Sequence, residues 1–241
     1  MSEESGTILR TDGLLKRFGG VTAVDGCAFE VKRHSMTALI GPNGSGKTTT
    51  FDLITGFQRP DKGRIYFEDH RIDGDRPYRI ARSGLGRTFQ ITRVFPQMTV
   101  LENLLVGATG TELRSAAARA LHLLDLIGLG DLRDEFCSRL SFGQQKLVEM
   151  ARIHMRPQKL VLLDEPFAGV NPTLTEKLVA YIEELRGEGT TYLIIDHEMK
   201  LIMRICERVL VLDQGKLLTD GSPEQVQDNP QVLSSYFGDN K

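Results

Sequence analysis

Short apolar runs rich in branched residues alternate along the chain with longer segments whose apolar positions recur at helical spacing. Such alternation is expected where helices cover both faces of a largely parallel sheet. MTALI (Met36–Ile40), KLVLLDE from Lys159 and TYLIID from Thr191 read as buried strands. Between 173 and 187, Leu174, Leu178, Tyr181, Ile182 and Leu185 fall at i, i+4, i+7, i+8 and i+11, which predicts an amphipathic crossover helix ending at Gly187. TVLE at 99–102 and SPEQ at 222–225 each set a hydroxyl three residues ahead of an acid or amide, and the second adds Pro223 at the first helical position. Both predict helix starts. The first thirty residues and RIYFED at 64–69 read as antiparallel strands, and ERVLVLDQGKLLTDG predicts a hairpin turning at Gln214 and Gly215. From 89 to 139 branched runs are missing and the pattern is mostly helical, which predicts an inserted helical subdomain.

Composition narrows this picture without overturning it. The chain has 241 residues, 40% apolar and 26% charged, ordinary for a folded domain with a sizeable core. Its formal charge is -2, so the global basic footprint of a nucleic-acid binder is missing. No apolar stretch approaches the roughly 18 to 20 residues that span a bilayer, and MSEESGTILR lacks the basic-then-apolar order of an export signal. Cys27, Cys137 and Cys206 are odd in number and far apart, which disfavours a disulfide framework or zinc site and suits a reducing cytoplasm. The balanced total conceals a local excess between 59 and 93, where nine basic residues face five acidic ones. That run reads either as a solvated face or as a contact with a membrane subunit or anionic headgroups.

Two motifs carry chemistry. GPNGSGKT, comprising Gly41, Pro42, Asn43, Gly44, Ser45, Gly46, Lys47 and Thr48, directly follows the strand MTALI and, with Thr49, opens a helical run. The glycines allow backbone N–H groups to close around phosphate oxygens, while the helix directs its positive end at the anion. Lys47 then reaches the β- and γ-phosphates and Thr48 ligates Mg²⁺. A dinucleotide fingerprint has no use for a lysine and threonine there. The second motif is KLVLLDEP, whose apolar run ends in adjacent carboxylates. Asp164 is placed to hold Mg²⁺ through its water shell, and Glu165 to polarise a water for in-line attack on the γ-phosphate.

With LSFGQQK at 140–146, followed by the helical LVEMARIHM, the chain resembles the ATP-binding cassette ATPases over essentially its whole length. The resemblance implies an α/β fold: a P-loop NTPase core of mostly parallel sheet flanked by helices, with an N-terminal antiparallel β subdomain and an inserted helical subdomain. The core would take about 1–88 and 157–241, the helical subdomain about 89–156. It also implies that Gln90, closing RTFQ, is the Q-loop glutamine, that His197 is the switch histidine, and that Phe18 stacks on adenine. Gln90 would join the Mg²⁺ site, and Leu140, Ser141, Phe142, Gly143 and Gln144 would cover the ATP of a second cassette. Two positions depart from the pattern: Phe142 replaces a glycine, and Asn171 in AGVNP stands where many cassettes carry an aspartate in the dimer loop. Both, with RTFQITRVFPQMTVLENLLVG and the terminal SPEQVQDNPQVLSSYFG, look like the ATP-binding subunits of branched-chain amino acid importers. The implied cofactors are ATP and Mg²⁺. The implied partners are a second cassette, copy or paralogue, permease subunits of the membrane and, indirectly, an extracytoplasmic binding protein, with no nucleic acid. The implied location is cytoplasmic, peripheral on the inner face of the cell membrane. Alternatives are the ATPase of a lipid or lipopolysaccharide exporter or a urea or amide importer, a soluble cassette of DNA repair or translation, and a nucleotide-binding regulator without turnover.

Overall fold

Alternation along the buried strands sorts their side chains into two apolar cores, one on each face of the main sheet. The computed structural model describes residues 6–237 apart from 109 and 111, so the amino-terminal MSEES and the Gly238 that closes the terminal stretch lie outside the described residues. In chain order the strands are β1 (Thr7–Phe18), β2 (Val21–Lys32), β3 (Met36–Ile40), β4 (Lys62–Phe67), β5 (His70–Arg71), β6 (Leu85–Arg87), β7 (Leu160–Asp164), β8 (Thr191–Ile195), β9 (Arg208–Asp213) and β10 (Lys216–Gly221). The α-helices are α1 (Lys47–Ile54), α2 (Pro77–Arg82), α3 (Val100–Leu105), α4 (Leu113–Leu126), α5 (Phe142–Ile153), α6 (Pro172–Gly187), α7 (Met199–Ile205), α8 (Pro223–Gln227) and α9 (Pro230–Phe237). One sheet runs β2-β1-β4-β5 and is antiparallel; the other runs β10-β9-β3-β8-β7-β6 and is parallel except at the β9–β10 hairpin. Leu39, Leu160, Leu162, Leu193 and Ile195 face the antiparallel sheet and α1, while Ala38, Ile40, Val161, Leu163 and Ile194 face α3, α4, α5 and α6. Period-two alternation within runs that are buried throughout is what a sheet covered on both sides requires.

The predicted strands, the Gln214–Gly215 hairpin and the boxes at Thr99 and Ser222 are all present. The crossover helix starts at Pro172, one residue ahead of the sequence reading, because the Asn171 side chain caps it by accepting the Leu174 N–H at 3.0 Å. The stretch from 89 to 139 needs a larger correction: it is less helical than its pattern suggests. Residues 89–98 form an irregular segment, α3 has only six residues, and two short 3₁₀ turns precede α5. The buried Asn103 explains the irregular part, since its side chain accepts the Phe95 N–H and donates to the carbonyls of Phe95 and Thr99, satisfying backbone groups that a helix would have paired internally. No helix among the described residues is long and apolar enough to cross a membrane.

One polar group sits deep in the helical layer. His154, at the C-terminus of α5, is 2% exposed; its Nδ1 lies 2.9 Å from the Met150 carbonyl, and the hydroxyls of Tyr181 and Tyr192 lie 3.1 Å from its two ring nitrogens. Burial pushes its pKa down to about 4 from an ordinary 6.5. The unfolded chain therefore binds the proton more readily, so this group's contribution is complete above about pH 6.5 and is lost as pH falls toward 4. That window is worth ~3 kcal/mol. Thermal melts between pH 7 and 4 should fall more steeply for the wild type than for His154→Gln, and parallel curves would refute this account.

Candidate functional site

Four adjacent parallel strands, in the spatial order β3-β8-β7-β6, end on one edge of the sheet. Ligands of open α/β sheets gather at such carboxyl ends. Here the ends deliver, respectively, the Gly41–Thr48 loop, His197, Asp164 with Glu165, and Gln90. A cleft of about 400 Å³ at this edge is lined by Asn43, Gly44, Gly46, Lys47, Thr48, Thr49, Gln90, Glu165 and His197, together with Ala23 and Ile195.

The loop shows why its glycines are needed. A Cβ on Gly41 would lie 2.0 Å from the Leu212 carbonyl oxygen, and one on Gly46 2.3 Å from that of Ala23. Gly44 instead opens onto free space with φ 81°. The β9–β10 turn supports the loop from behind, with the Gly215 N–H donating to the Ser45 carbonyl at 3.0 Å. Lys47 folds back over the loop and donates from Nζ to the carbonyls of Gly41 and Pro42 at 2.8 and 3.0 Å. Burial lowers its pKa, opposed by the charges of Glu165 and Asp164. Ser45 Oγ is buried and has no partner among the described residues, and it lies 2.7 Å from where a Gly41 Cβ would be. An ammonium and an unpaired hydroxyl beside a concave backbone at a helix N-terminus suit a polyphosphate.

Gln90, Glu165 and His197 come together although they are far apart in sequence. His197 Nε2 lies 3.0 Å from Glu165 Oε1, and Gln90 Nε2 donates to Glu165 Oε2 at 3.2 Å. Glu165 itself holds φ 51°, a left-handed value unusual for a residue with a side chain, secured by its N–H bond to the Ile195 carbonyl. Asp164 turns the other way. It is 4% exposed, its N–H donates to Thr88 Oγ1 at 3.0 Å, and its Oδ2 meets Arg87 at 3.3 Å. Burial raises its pKa against the pull of Arg87.

Other predicted residues lie elsewhere. Phe18 ends β1 at the hairpin tip, 46% exposed and outside the cleft lining. Ser141 caps α5 in a reciprocal box with Gln144, with Leu140 buried ahead of it. Phe142 is 49% exposed beside Gly169, and Gly143 is pressed against Leu174, where a Cβ would come within 2.9 Å. None of Leu140 to Gln144 lines the cleft of its own chain. Asn171, expected in a dimer loop, spends its side-chain oxygen on the α6 cap.

Four contributors escaped the sequence reading. Arg87, counted there within the basic run, is internal and bridges Asp52 at 2.6 Å and Asp164; the signal was its position inside the short strand LGR. Thr88 supports Asp164 as described. Asp196 accepts the N–H groups of Phe167, His197 and Glu198, and an acid closing the apolar TYLII could have revealed it. Lys146, buried on α5, donates to the carbonyls of Glu165 and Ala168, both at 2.7 Å. Among the described residues no group of three or more His, Cys, Asp or Glu is arranged to hold a metal. Thr48, Gln90 and Asp164 offer oxygen donors of the kind Mg²⁺ takes alongside phosphate and water.

A family profile described as ABC transporter matches residues 24–168. The high-affinity branched-chain amino acid transport ATP-binding protein BraF of Pseudomonas aeruginosa is 40% identical over 250 residues, covering 96% of this chain and 98% of that protein. The corresponding LivG of Escherichia coli strain K12 is 41% identical over 250 residues with the same coverage. Among solved structures, the ADP conformation of MJ1267, an ATP-binding cassette of an ABC transporter, superposes with a TM-score of 0.89 at 35% identity, covering 97% of this chain and all of that one. A nucleotide-free cassette from an ABC transporter gives 0.88 at 35% identity, covering 96% and 99%.

Proposed function

This chain belongs to the ABC transporter family, and from that membership we propose that it hydrolyses ATP to drive uptake of branched-chain amino acids through separate permease subunits. The observation that carries the reading is the convergence of the Gly41–Thr48 loop, Gln90, Glu165 and His197 on one cleft. The amino acid class rests on BraF and LivG, whose names specify it. In this reading Lys47 leaves the loop carbonyls for the β- and γ-phosphates, and Glu165 accepts the proton of an attacking water while His197 and Gln90 hold its carboxylate in place. Phe18 stacks on the adenine. Mg²⁺, held by Thr48, Gln90 and, through water, Asp164, would neutralise phosphate charge. Arg87 and Thr88 fix Asp164 for that task.

The signature residues Leu140 to Gln144, outside their own cleft, would cover the nucleotide of a second cassette, with Asn171 at the junction. Two such subunits would sit on the cytoplasmic face of permeases fed by an extracytoplasmic binding protein. We divide the chain as the sequence suggested, about 89–156 forming the helical part and the remainder the core. A groove of about 550 Å³ lies between these parts, lined by Phe57, Tyr78, Phe89, Phe95, Val106 and Arg156 among others. Of the segment after Gln90, Val94 packs partly against the core, whereas Phe95 and Met98 are 45% and 37% exposed. This groove is the proposed seat of a permease segment.

Phe95→Ala tests the docking. An exposed docking side chain can be truncated without the ~2 to 5 kcal/mol that a core truncation costs, whereas an interface anchor typically costs more than about 1 kcal/mol of binding. The purified variant should keep its melting temperature and basal ATPase yet fail to co-purify with the permease. In proteoliposomes of the wild-type assembly, leucine-loaded binding protein should stimulate ATPase and urea should not. Equal stimulation by urea would displace the amino acid assignment, and a large drop in melting temperature for Phe95→Ala would remove the docking one.

A further inference from the structure

Helix α5 presents Lys146, Glu149 and Arg152 at i, i+3 and i+6, a spacing that sets them along one side. Lys146 grips the carbonyls after β7, as described above. The other two grip the segment that follows Gln90. Glu149, 5% exposed, accepts the Arg93 N–H at 3.2 Å, and the Arg152 guanidinium donates to the Arg93 carbonyl. Beside this grip the Arg93 guanidinium lies 4.0 Å from the Phe89 ring. From the opposite side Asn103 of α3 holds both the N–H and the carbonyl of Phe95. Residues 93 and 95 are thus fastened to the helices, while Gln90 is fastened to Glu165. Only Ile91 and Thr92 lie between, and three Cα steps reach at most ~11 Å, so little slack separates the two attachments.

A buried carboxylate bonded to one backbone amide is a poor way merely to stabilise a helix. Burial raises the pKa of Glu149, opposed first by the Arg93 N–H and then by Arg152 and Lys146. An apolar side chain of similar volume often stabilises such a position as well or better. What the acid and the guanidinium do, and an apolar side chain does not, is specify where residue 93 sits along α5. The N-terminus of that same helix is built by Ser141 and Gln144.

We propose that Glu149 and Arg152 are positioning residues that strap residue 93 to α5, so that Gln90 in one ATP site and the Ser141 end of α5 move as one piece. The proposal rests on the reading of Gln90 and the signature given under Proposed function. The strap carries no part of the nucleotide cradle, so its loss misplaces Gln90 without emptying the cleft.

The full-length chain with MgATP provides the test. In Glu149→Ala, affinity for a fluorescent ATP analogue should stay within about twofold while kcat falls roughly 10- to 100-fold, the size of effect that misplacing a catalytic group by about 1 Å produces. Glu149→Gln keeps an oxygen for the Arg93 N–H and should restore kcat. The double variant Gln90→Ala/Glu149→Ala should be no slower than Gln90→Ala alone, because both remove the same element. Wild-type kcat in Glu149→Ala, a glutamine variant as slow as the alanine one, or fully multiplying losses in the double variant would each overturn the strap. If Glu149→Ala does not fold, Arg152→Lys, which retains the charge but not the reach to the Arg93 carbonyl, carries the same expectations. Should Gln90→Ala itself turn over like the wild type, the reading of Gln90 fails and the strap with it; an impaired Gln90→Ala beside an unimpaired Glu149→Ala removes the strap alone.

Discussion

Lys47→Ala should bind ATP at least ~10²-fold more weakly than the wild type while melting at nearly the same temperature. The ammonium is the cation at the centre of the loop, where it donates to the Gly41 and Pro42 carbonyls. Charge-assisted bonds to phosphate are each worth roughly 1.5 to 3 kcal/mol, so losing two of them gives about 3 to 6 kcal/mol before compensation. Part of that is returned, because the wild-type lysine must first leave its carbonyls; ~3 kcal/mol remains a fair expectation, or about two powers of ten in affinity. Lys146 does not substitute for it, since its Nζ is committed to the Glu165 and Ala168 carbonyls. Arg87 is likewise committed to Asp52 and Asp164. Calorimetric titration with MgATP reads the effect directly. Affinity within about threefold of the wild type would show that the loop does not hold the polyphosphate through this residue.

What could be seen in the sequence was what local chemistry dictates. The strands around Leu39, Leu162 and Ile194 are apolar at nearly every position and buried throughout, and the loop needs glycine at Gly41 and Gly46, where a Cβ would strike a carbonyl oxygen, and at Gly44, where φ is 81°. The caps at Thr99 and Ser222 are spelled by residue types three apart. What could not be seen depends on partners distant in sequence. Arg87 looks like one of nine basic residues in a surface run until β6 is paired with β7 and buries it against Asp164. The irregular path of 89–98 is set by Asn103, Glu149 and Arg152, whose effects arise only once α3 and α5 are packed together, so its course ahead of the helix start at Thr99 was not legible. The same holds for His154, which reads as an ordinary histidine near a helix end and becomes a buried polar link only through Tyr181 and Tyr192.

Glu165→Gln should keep ATP affinity within a few fold and lose hydrolysis by roughly 10² to 10⁴, the range general-base assistance supplies. The surroundings of Glu165 argue that the substitution leaves the site intact. Its backbone stays anchored through the Ile195 carbonyl, and its left-handed φ makes no new demand on an amide of the same shape. The glutamine oxygen can still accept the Gln90 amide, and its new N–H₂ can face His197 if the imidazole presents Nε2 as an acceptor, a tautomeric change that costs little at an exposed ring. What the amide lacks is basicity, so a water placed beside it keeps its proton. Nucleotide then persists in the cleft, and if Leu140 to Gln144 of a second subunit cover it, the complex should accumulate as a dimer. Light scattering on a sizing column with MgATP at high protein concentration should show that dimer for Glu165→Gln and little of it for the wild type, which clears its nucleotide. Monomer alone for the variant would remove the two-subunit site, and unaltered turnover would pass the base to another group. The two failures are separable: the first leaves the chemistry of one cleft standing, and the second leaves the pairing of subunits without the trapped state that reveals it.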